Sequence, residues 1–311
     1  MAIAEGGATL RETVFFEGVG LHTGQLCRVA VHPVSEVSTP CAITIRKGNS
    51  VFPARWDYVV DTTRATVLGD GGVRVSTVEH LMAALWMTGV THGVIELLQG
   101  EEIPILDGSA QPFVEALRAA LTPLPPLPTS AEEPRAALTP LPPLPTGWER
   151  GNPQLPSPAC GRGAGGEGAL VQARHADRYL GLSFGGDALF GYIDFPAPLG
   201  VQAGAFALSD ALQQIAPART FGFLREVEAL RQQGLALGGA LENALVIDET
   251  GYHNPARFED EPLRHKLLDV LGDLYLCGVR LTGFTLVAVK PGHALNVQLA
   301  RQIAQAWFTE D

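Results

Sequence analysis

The chain has 311 residues, 46% of them hydrophobic and 18% charged, with a formal net charge of −11. At roughly 150 residues per domain this length allows two domains. An acidic balance without a basic cluster makes the chain a poor candidate for binding nucleic acid or anionic membranes. Four cysteines (Cys27, Cys41, Cys160, Cys277) stand far apart and form no CxxC pair. That spacing argues against a zinc ribbon and against a disulfide framework. No basic-then-apolar leader opens the chain, and no apolar run reaches the ~18 residues of a membrane span. The expectation is a cytoplasmic protein with no stable membrane insertion.

Short strand-like runs come first: TVFFEG, CRVAVHP, CAITIRK, ATVLG and VRVST, separated by turn signals. Between the first two, GVGLHTG (18–24) reads as a turn, because its last glycine is one residue too late for a dinucleotide fingerprint. A helix is expected at about 77–87, a strand at 93–98 and a second helix at 112–120. The composition then changes. Twelve of the 23 prolines fall between 121 and 168, where RAALTPLPPLPT occurs at 118–129 and again at 135–146. Proline at this density blocks helix interiors and sheet ladders, so 121–168 is expected to be a linker or insertion of extended, disordered character. A docking site for a proline-recognising partner is the alternative. Gly161, Gly163 and Gly166 satisfy G-x-G-x-x-G, but neither a strand before them nor a helix after them supports that motif.

The pattern of the first part then recurs. Strands YLGLSF and LFGYIDF precede a helix at about 210–215, the run TFGFLREVEALRQQG and a strand ALVID. A helix at 262–277, a strand FTLVAVK and a helix at 295–308 close the chain. Two β-then-α halves of similar size predict an α+β fold of duplicated sandwich domains, 1–120 and 169–311.

Three places could carry chemistry. Ser76-Thr-Val-Glu79-His80 opens a helix with almost no polar face, which predicts burial. A buried Glu–His pair needs a partner or a metal, although Ser76-x-x-Glu79 also fits a capping box. On the 262–277 helix, His265, Asp269 and Asp273 are spaced i, i+4, i+8 and share a stripe. That stripe suits a divalent ion or an ordinary solvated surface, and by itself H-x-x-x-D does not decide for the metal. Lys290-Pro-Gly-His293 lies where a strand gives way to the last helix, a common place for functional groups. Together they offer what a catalytic zinc needs: three N or O ligands and a nearby carboxylate. HExxH and G-x-S-x-G are both absent, so a standard zinc-peptidase helix and a serine-hydrolase elbow are excluded.

The ordered set GVGLHTG (18–24), DTTRAT (61–66), STVEHLMAAL (76–85), EIPILDGSA (102–110), ARTFGF (218–223), RFEDEPLRHKLLDVLGDL (257–274) and KPGHALN (290–296) resembles the UDP-3-O-acyl-N-acetylglucosamine deacetylases, zinc amidases of lipid A synthesis. The likeness covers about 8–118 and 172–308. It implies two packed β-α-α-β domains with the active site between them. It implies one zinc ion on His80, His265 and Asp269, with Glu79 as general base. Thr220 and a protonated His293 would stabilise the oxyanion, and Asp273 would hold His293 charged. Lys266 and Lys290 would meet the glucosamine or diphosphate, and Phe221 the sugar and nucleotide. The acyl chain would run along about 223–244, including Leu230, Leu235, Leu237 and Leu241.

Three departures stand out. The proline-rich segment interrupts the entry to the second domain, where the opening edge strand is either lost or replaced by GALVQARH (168–175). Arg178 stands where the family carries a phosphate-contacting lysine, and Ala65 offers no thiol. The partner implied is a UDP-linked acylated amino sugar, and the protein is expected to be a monomer. A weakly catalytic binding protein of this fold, or an amidase for another acylated amino sugar, are the competing readings.

Overall fold

The computed structural model describes residues 2–3, 7–35, 41–124 and 170–308. The first half runs β1 (Ala2–Ile3), β2 (Ala8–Leu10), β3 (Val14–Val19), β4 (Leu26–His32), β5 (Ala42–Lys47) and β6 (Ser50–Pro53). Then come β7 (Val59–Asp61), β8 (Val67–Asp70), β9 (Val73–Val75), α1 (Glu79–Thr88), β10 (His92–Gln99), α2 (Gln111–Ala119) and β11 (Leu121–Pro123). The second half opens with β12 (Leu170–His175), β13 (Arg178–Phe184), β14 (Ala188–Asp194), β15 (Val201–Phe206) and α3 (Ala211–Gln214). It continues with β16 (Phe221–Phe223), α4 (Leu224–Gln232), β17 (Leu245–Ile247), α5 (Glu261–Tyr275), β18 (Leu281–Thr282), β19 (Phe284–Val289) and α6 (His293–Phe308).

Each half is built on one five-stranded sheet, and the two sheets share a topology. The orders are β3-β4-β10-β5-β6 and β12-β13-β19-β14-β15. In each, the central strand (β10 or β19) pairs antiparallel on one side and parallel on the other. The central strand lies between two helices in sequence, α1 and α2 in one half, α5 and α6 in the other. The expectation of a duplicated α+β pattern therefore holds strand by strand. What differs is the insert before the first helix of each pair: the small sheet β7-β8-β9 in the first half, and α3, α4 and the parallel pair β16-β17 in the second.

Helices α1 and α5 pack against each other across the centre, and one hydrophobic core extends through both halves. Glu79–Met87 of α1 are all buried, as its all-round apolar sequence requires. The two helices approach closely at Gly272, where a Cβ would lie 2.8 Å from the Glu79 carbonyl carbon and 3.1 Å from the Ala83 nitrogen.

One boundary needs correction. The interruption was expected from residue 121, but Leu121–Pro123 form β11, which pairs antiparallel with β2. A strand that short can carry a proline at its end on a sheet edge. The proline-rich remainder, 125–169, lies outside the described residues. The edge strand expected from GALVQARH is present as β12, paired with β13 from Leu170 to His175. No helix among the described residues is long and apolar enough to cross a membrane.

Candidate active site

Helices α1, α5 and α6 converge at the α1–α5 contact and bring the three sequence-predicted places together. His80, His265 and Asp269 are buried, and one ligand atom from each lies within 4.8 Å of the others. Asp269 Oδ1 stands 3.3 Å from His265 Nε2 and 3.7 Å from His80 Nε2. The Lys266 ammonium donates to Asp269 Oδ2 at 2.7 Å. The other oxygen, Oδ1, is buried without a hydrogen-bond partner. The Ala218 carbonyl accepts from His265 Nδ1 at 3.1 Å, leaving Nε2 turned to the cluster.

Burial, reinforced by the neighbouring imidazole, drives the His80 pKa down to about 3, and burial lowers that of His265. Burial alone would raise Asp269, but Lys266 and the histidines outweigh it and hold the carboxyl well below its usual range. Two neutral imidazoles and an ionised carboxylate with one orphaned oxygen form a donor set that fits a divalent metal.

This geometry removes two alternatives. The His265/Asp269/Asp273 stripe is not solvated surface, since all three are buried between helices. Ser76 and Glu79 do not form a capping box. The N-cap of α1 is Val78, without a side-chain bond, and Glu79 is the first helical residue. Glu79 Oε2 instead accepts from the Thr66 backbone N–H at 3.0 Å. A capping box trades an orphan helix donor for a carboxylate; here the carboxylate is committed to the site.

Next to the ligands lies an acid–base pair. Burial, with help from Asp273 and Asp269 and against the pull of His293, lifts the Glu79 pKa to about 8. His293 Nε2 stands 4.0 Å from Glu79 Oε1, and its Nδ1 donates to Asp273 Oδ2 at 3.0 Å. Burial would lower His293, but Asp273 and Glu79 outweigh it and raise the pKa to about 9. Asp273 is fully buried and is further held by Thr66 Oγ1 at 2.5 Å and Asn296 Nδ2 at 2.9 Å.

The site opens into a cavity of about 620 Å³. Thr220, Phe221 and Lys266 line it together with the metal-ligand cluster. The Lys266 ammonium sits 5.6 Å from the centre of the Phe221 ring. Much of the expected acyl passage also lines the cavity, including Phe223, Val227, Leu230 and Leu241. Leu235 and Leu237 do not. Nor do Lys290 and Arg178. Lys290 is tied to Asp177 at 2.7 Å and Asp194 at 2.9 Å, and Arg178 is exposed at the start of β13.

Sequence reasoning missed His22, Thr66 and Glu102. His22 lines the cavity, and both of its ring nitrogens are buried without partners. Glu102 holds the loop that carries it, accepting from the backbone N–H groups of His22 and Thr23 and from the hydroxyls of Thr23 and Thr77. A histidine between turn glycines and a lone glutamate carry no local signal. Only the fold makes them neighbours.

Buried imidazoles and a carboxylate that can hold a metal ion, beside an acid–base pair, are the kind of groups a metal-dependent hydrolase uses. The sequence model of the "UDP-3-O-acyl N-acetylglycosamine deacetylase" family matches residues 7–123 and 188–305. The unmatched stretch contains the second copy of the repeat and half of the first, together with β12 and β13. Among similar curated proteins, the UDP-3-O-acyl-N-acetylglucosamine deacetylase of Thermosynechococcus vestitus is 40% identical over 96% of this chain and 93% of its own length. Those of Myxococcus xanthus (37% identical, 95% of this chain and 85% of the relative) and Aquifex aeolicus (34%, 96% and 92%) are similar over comparable spans. The chain belongs to this deacetylase family.

Proposed function

We propose that the protein hydrolyses the N-acetyl group of UDP-3-O-acyl-N-acetylglucosamine, giving the free amine and acetate in lipid A biosynthesis, with zinc on His80, His265 and Asp269. The observation that carries this reading is the meeting, on one cavity wall, of the three-residue donor set with Glu79 and His293. Two imidazole nitrogens and a carboxylate oxygen are the ligand types of hydrolytic zinc sites. When bound, zinc supplies Lewis acidity toward water and the acetamide carbonyl.

Glu79 takes the proton of the attacking water, and a nearby cation favours the ionised form it needs. Charged His293 and the Thr220 hydroxyl stabilise the developing oxyanion. His293 then delivers a proton to the leaving amine, while Asp273 keeps it charged and oriented. Lys266 and Phe221 contact the sugar. Lys290 and Arg178, outside the cavity lining, are assigned to the diphosphate, where an arginine grips as a fork. The apolar wall formed by residues of 223–244 takes the acyl chain. A nucleotide-linked substrate supports a cytoplasmic setting for the reaction.

The test is acetate release from UDP-3-O-acyl-N-acetylglucosamine, with and without a chelator. Turnover that is lost on chelation and restored by zinc is expected. No turnover at stoichiometric zinc overturns the reading.

A further inference from the structure

Outside the reacting groups, one buried ion pair reaches the site from the second half. Glu261 is fully buried and Arg219 is 7% exposed. The guanidinium grips the carboxylate as a fork, with Nε donating to Oε1 at 2.9 Å and Nη2 to Oε2 at 3.2 Å. Two backbone donors complete the carboxylate: Arg219 N–H to Oε1 at 2.9 Å and Arg257 N–H to Oε2 at 2.6 Å. Arg219 Nη2 also donates to the Pro255 carbonyl at 2.7 Å. Removing two charges from water is costly, and a buried pair is poor ground for stability. What such a pair does specify is position.

Its position is informative. Glu261 is the first residue of α5, where a negative charge suits the helix N-terminus. His265 follows one turn later. Arg219 sits between two residues of the site. On one side, the Ala218 carbonyl accepts from His265 Nδ1. On the other, Thr220 lines the cavity, with its N–H donating to the Gly108 carbonyl at 2.7 Å and its carbonyl accepting from Leu245 N at 2.8 Å. The fork thus ties the segment 218–220 to the helix bearing His265 and Asp269.

We propose that Arg219 and Glu261 are positioning residues for the reaction: the pair fixes the Ala218 carbonyl against His265 Nδ1, presenting Nε2 to the metal, and sets Thr220 at the cavity wall. A hydrogen bond on the far nitrogen selects the tautomer and aims the ring, and loss of such outer partners weakens metal binding. The inference rests on the deacetylase reading above.

Arg219→Lys keeps the charge but loses the fork, and Glu261→Gln keeps the shape but loses the charge. Zinc affinity of the metal-stripped protein, measured by competition with a chelating dye well below the unfolding temperature, is expected to weaken about 10–100-fold in each. With zinc saturating, kcat should fall while KM stays near the parent value. Arg28→Lys, on the surface pair with Glu17, should change neither. Folded variants with parental zinc affinity and kcat, and only a lower Tm, overturn the proposal. If Glu261→Gln does not fold, Glu261→Asp withdraws the carboxylate by one methylene and is read in the same way. The affinity is measured without substrate, so absence of turnover in the parent chain would refute the functional reading and leave this one to be decided by the zinc arm.

Discussion

Replacing Gly272 by alanine tests the central geometric claim with a single methyl group. In an ordinary helix interior Gly→Ala stabilises by ~1 kcal/mol, because alanine is the better helix former. Here the added Cβ would lie 2.8 Å from the Glu79 carbonyl carbon, closer still to its oxygen, and 3.1 Å from the Ala83 nitrogen, against 3.4–4 Å for an ordinary contact. All three atoms are backbone of α1, so no side chain can swing aside. The helices must part by at least about 0.6 Å to relieve the carbon contact alone. Overpacking of this kind costs about 1–3 kcal/mol or more, which outweighs the propensity gain. The net expectation is a loss of ~2 kcal/mol and a Tm lower by roughly 5 °C for a chain of this size. The larger effect falls on the metal. Glu79 and His80 ride on α1, and His265 and Asp269 ride on α5, so the parting separates one ligand from the other two. Metal sites tolerate only about ±0.2 Å in ligand distance, and misplacement near 1 Å costs on the order of 10²-fold in rate. Differential scanning fluorimetry, zinc competition and acetate release would read the three effects. A Gly272→Ala protein that is more stable and binds zinc as tightly as the parent would refute the close helix contact as the frame of the site.

Four further outcomes are expected. Glu79→Ala and His293→Ala should each lower kcat on the order of 10²–10⁴-fold with zinc retained by metal analysis, whereas His80→Ala should lose the metal; equal zinc loss in all three would contradict these roles. Thr66→Val keeps the backbone bond to Glu79 but strands Asp273 Oδ1, and should cost about 1–3 kcal/mol by urea titration; a cost near zero would mean that water replaces the hydroxyl. In the metal-free protein, His293 has a folded pKa of about 9, raised above 6.5, so its contribution is fully present below pH 6.5 and is lost as pH rises through about 9; its share of the stability, on the order of 3 kcal/mol, should be lost across that window, in addition to the fall that Glu79, raised to about 8, contributes up to that pH, and His293→Gln should reduce the slope. Excising one copy of the repeat gives the same product whether 118–134 or 130–146 is removed, so a sequence for β11 is retained and kcat/KM should stay within a few-fold; a folded but inactive product would give the second copy a role of its own.

The sequence exposed the elements of this fold but not all of its neighbours. Alternating periodicity predicted the strands of the two large sheets apart from the edge strands β6, β12 and β15; β15 is as long as β3, but its VQAGAF sequence of mostly small residues leaves no apolar face to be read. Part of the candidate ligand set was legible because His265 and Asp269 share a helical stripe. Their burial was not, since the same spacing describes a solvated face until a second helix is known to cover it. Ser76-x-x-Glu79 was misleading for a related reason: a capping box and a buried base use the same residue types, and only the Thr66 N–H, thirteen residues away, decides between them. Glu102 and His22 are eighty residues apart and meet through strand pairing, which no local pattern encodes. Arg178 and Lys290 were placed with the substrate by resemblance, yet neither lines the cavity.

The shared sheet topology explains why the site sits where it does. Two halves with the same strand order place their first core helices, α1 and α5, in corresponding positions, so packing the halves together brings those helices into contact. Residues at that contact are almost wholly buried except where they face the cavity, which is why ionisable groups there must be paired or metal-bound. One half supplies Glu79 and His80, and the other supplies His265, Asp269 and Asp273. Neither half holds the complete donor set, so on the proposed reading metal binding and docking of the halves would stabilise each other as linked equilibria. It follows that the inserts, which break the symmetry, are where substrate selectivity belongs. The second insert, with α4 and the 235–244 stretch, forms much of the cavity wall. The first-half loop at 20–24 docks on it through Leu237 N–H to the His22 carbonyl at 3.1 Å and Gly238 N–H to the Leu21 carbonyl at 3.1 Å. Acyl-chain preference should therefore respond to changes at that docking line while the metal centre, held by α1 and α5, does not.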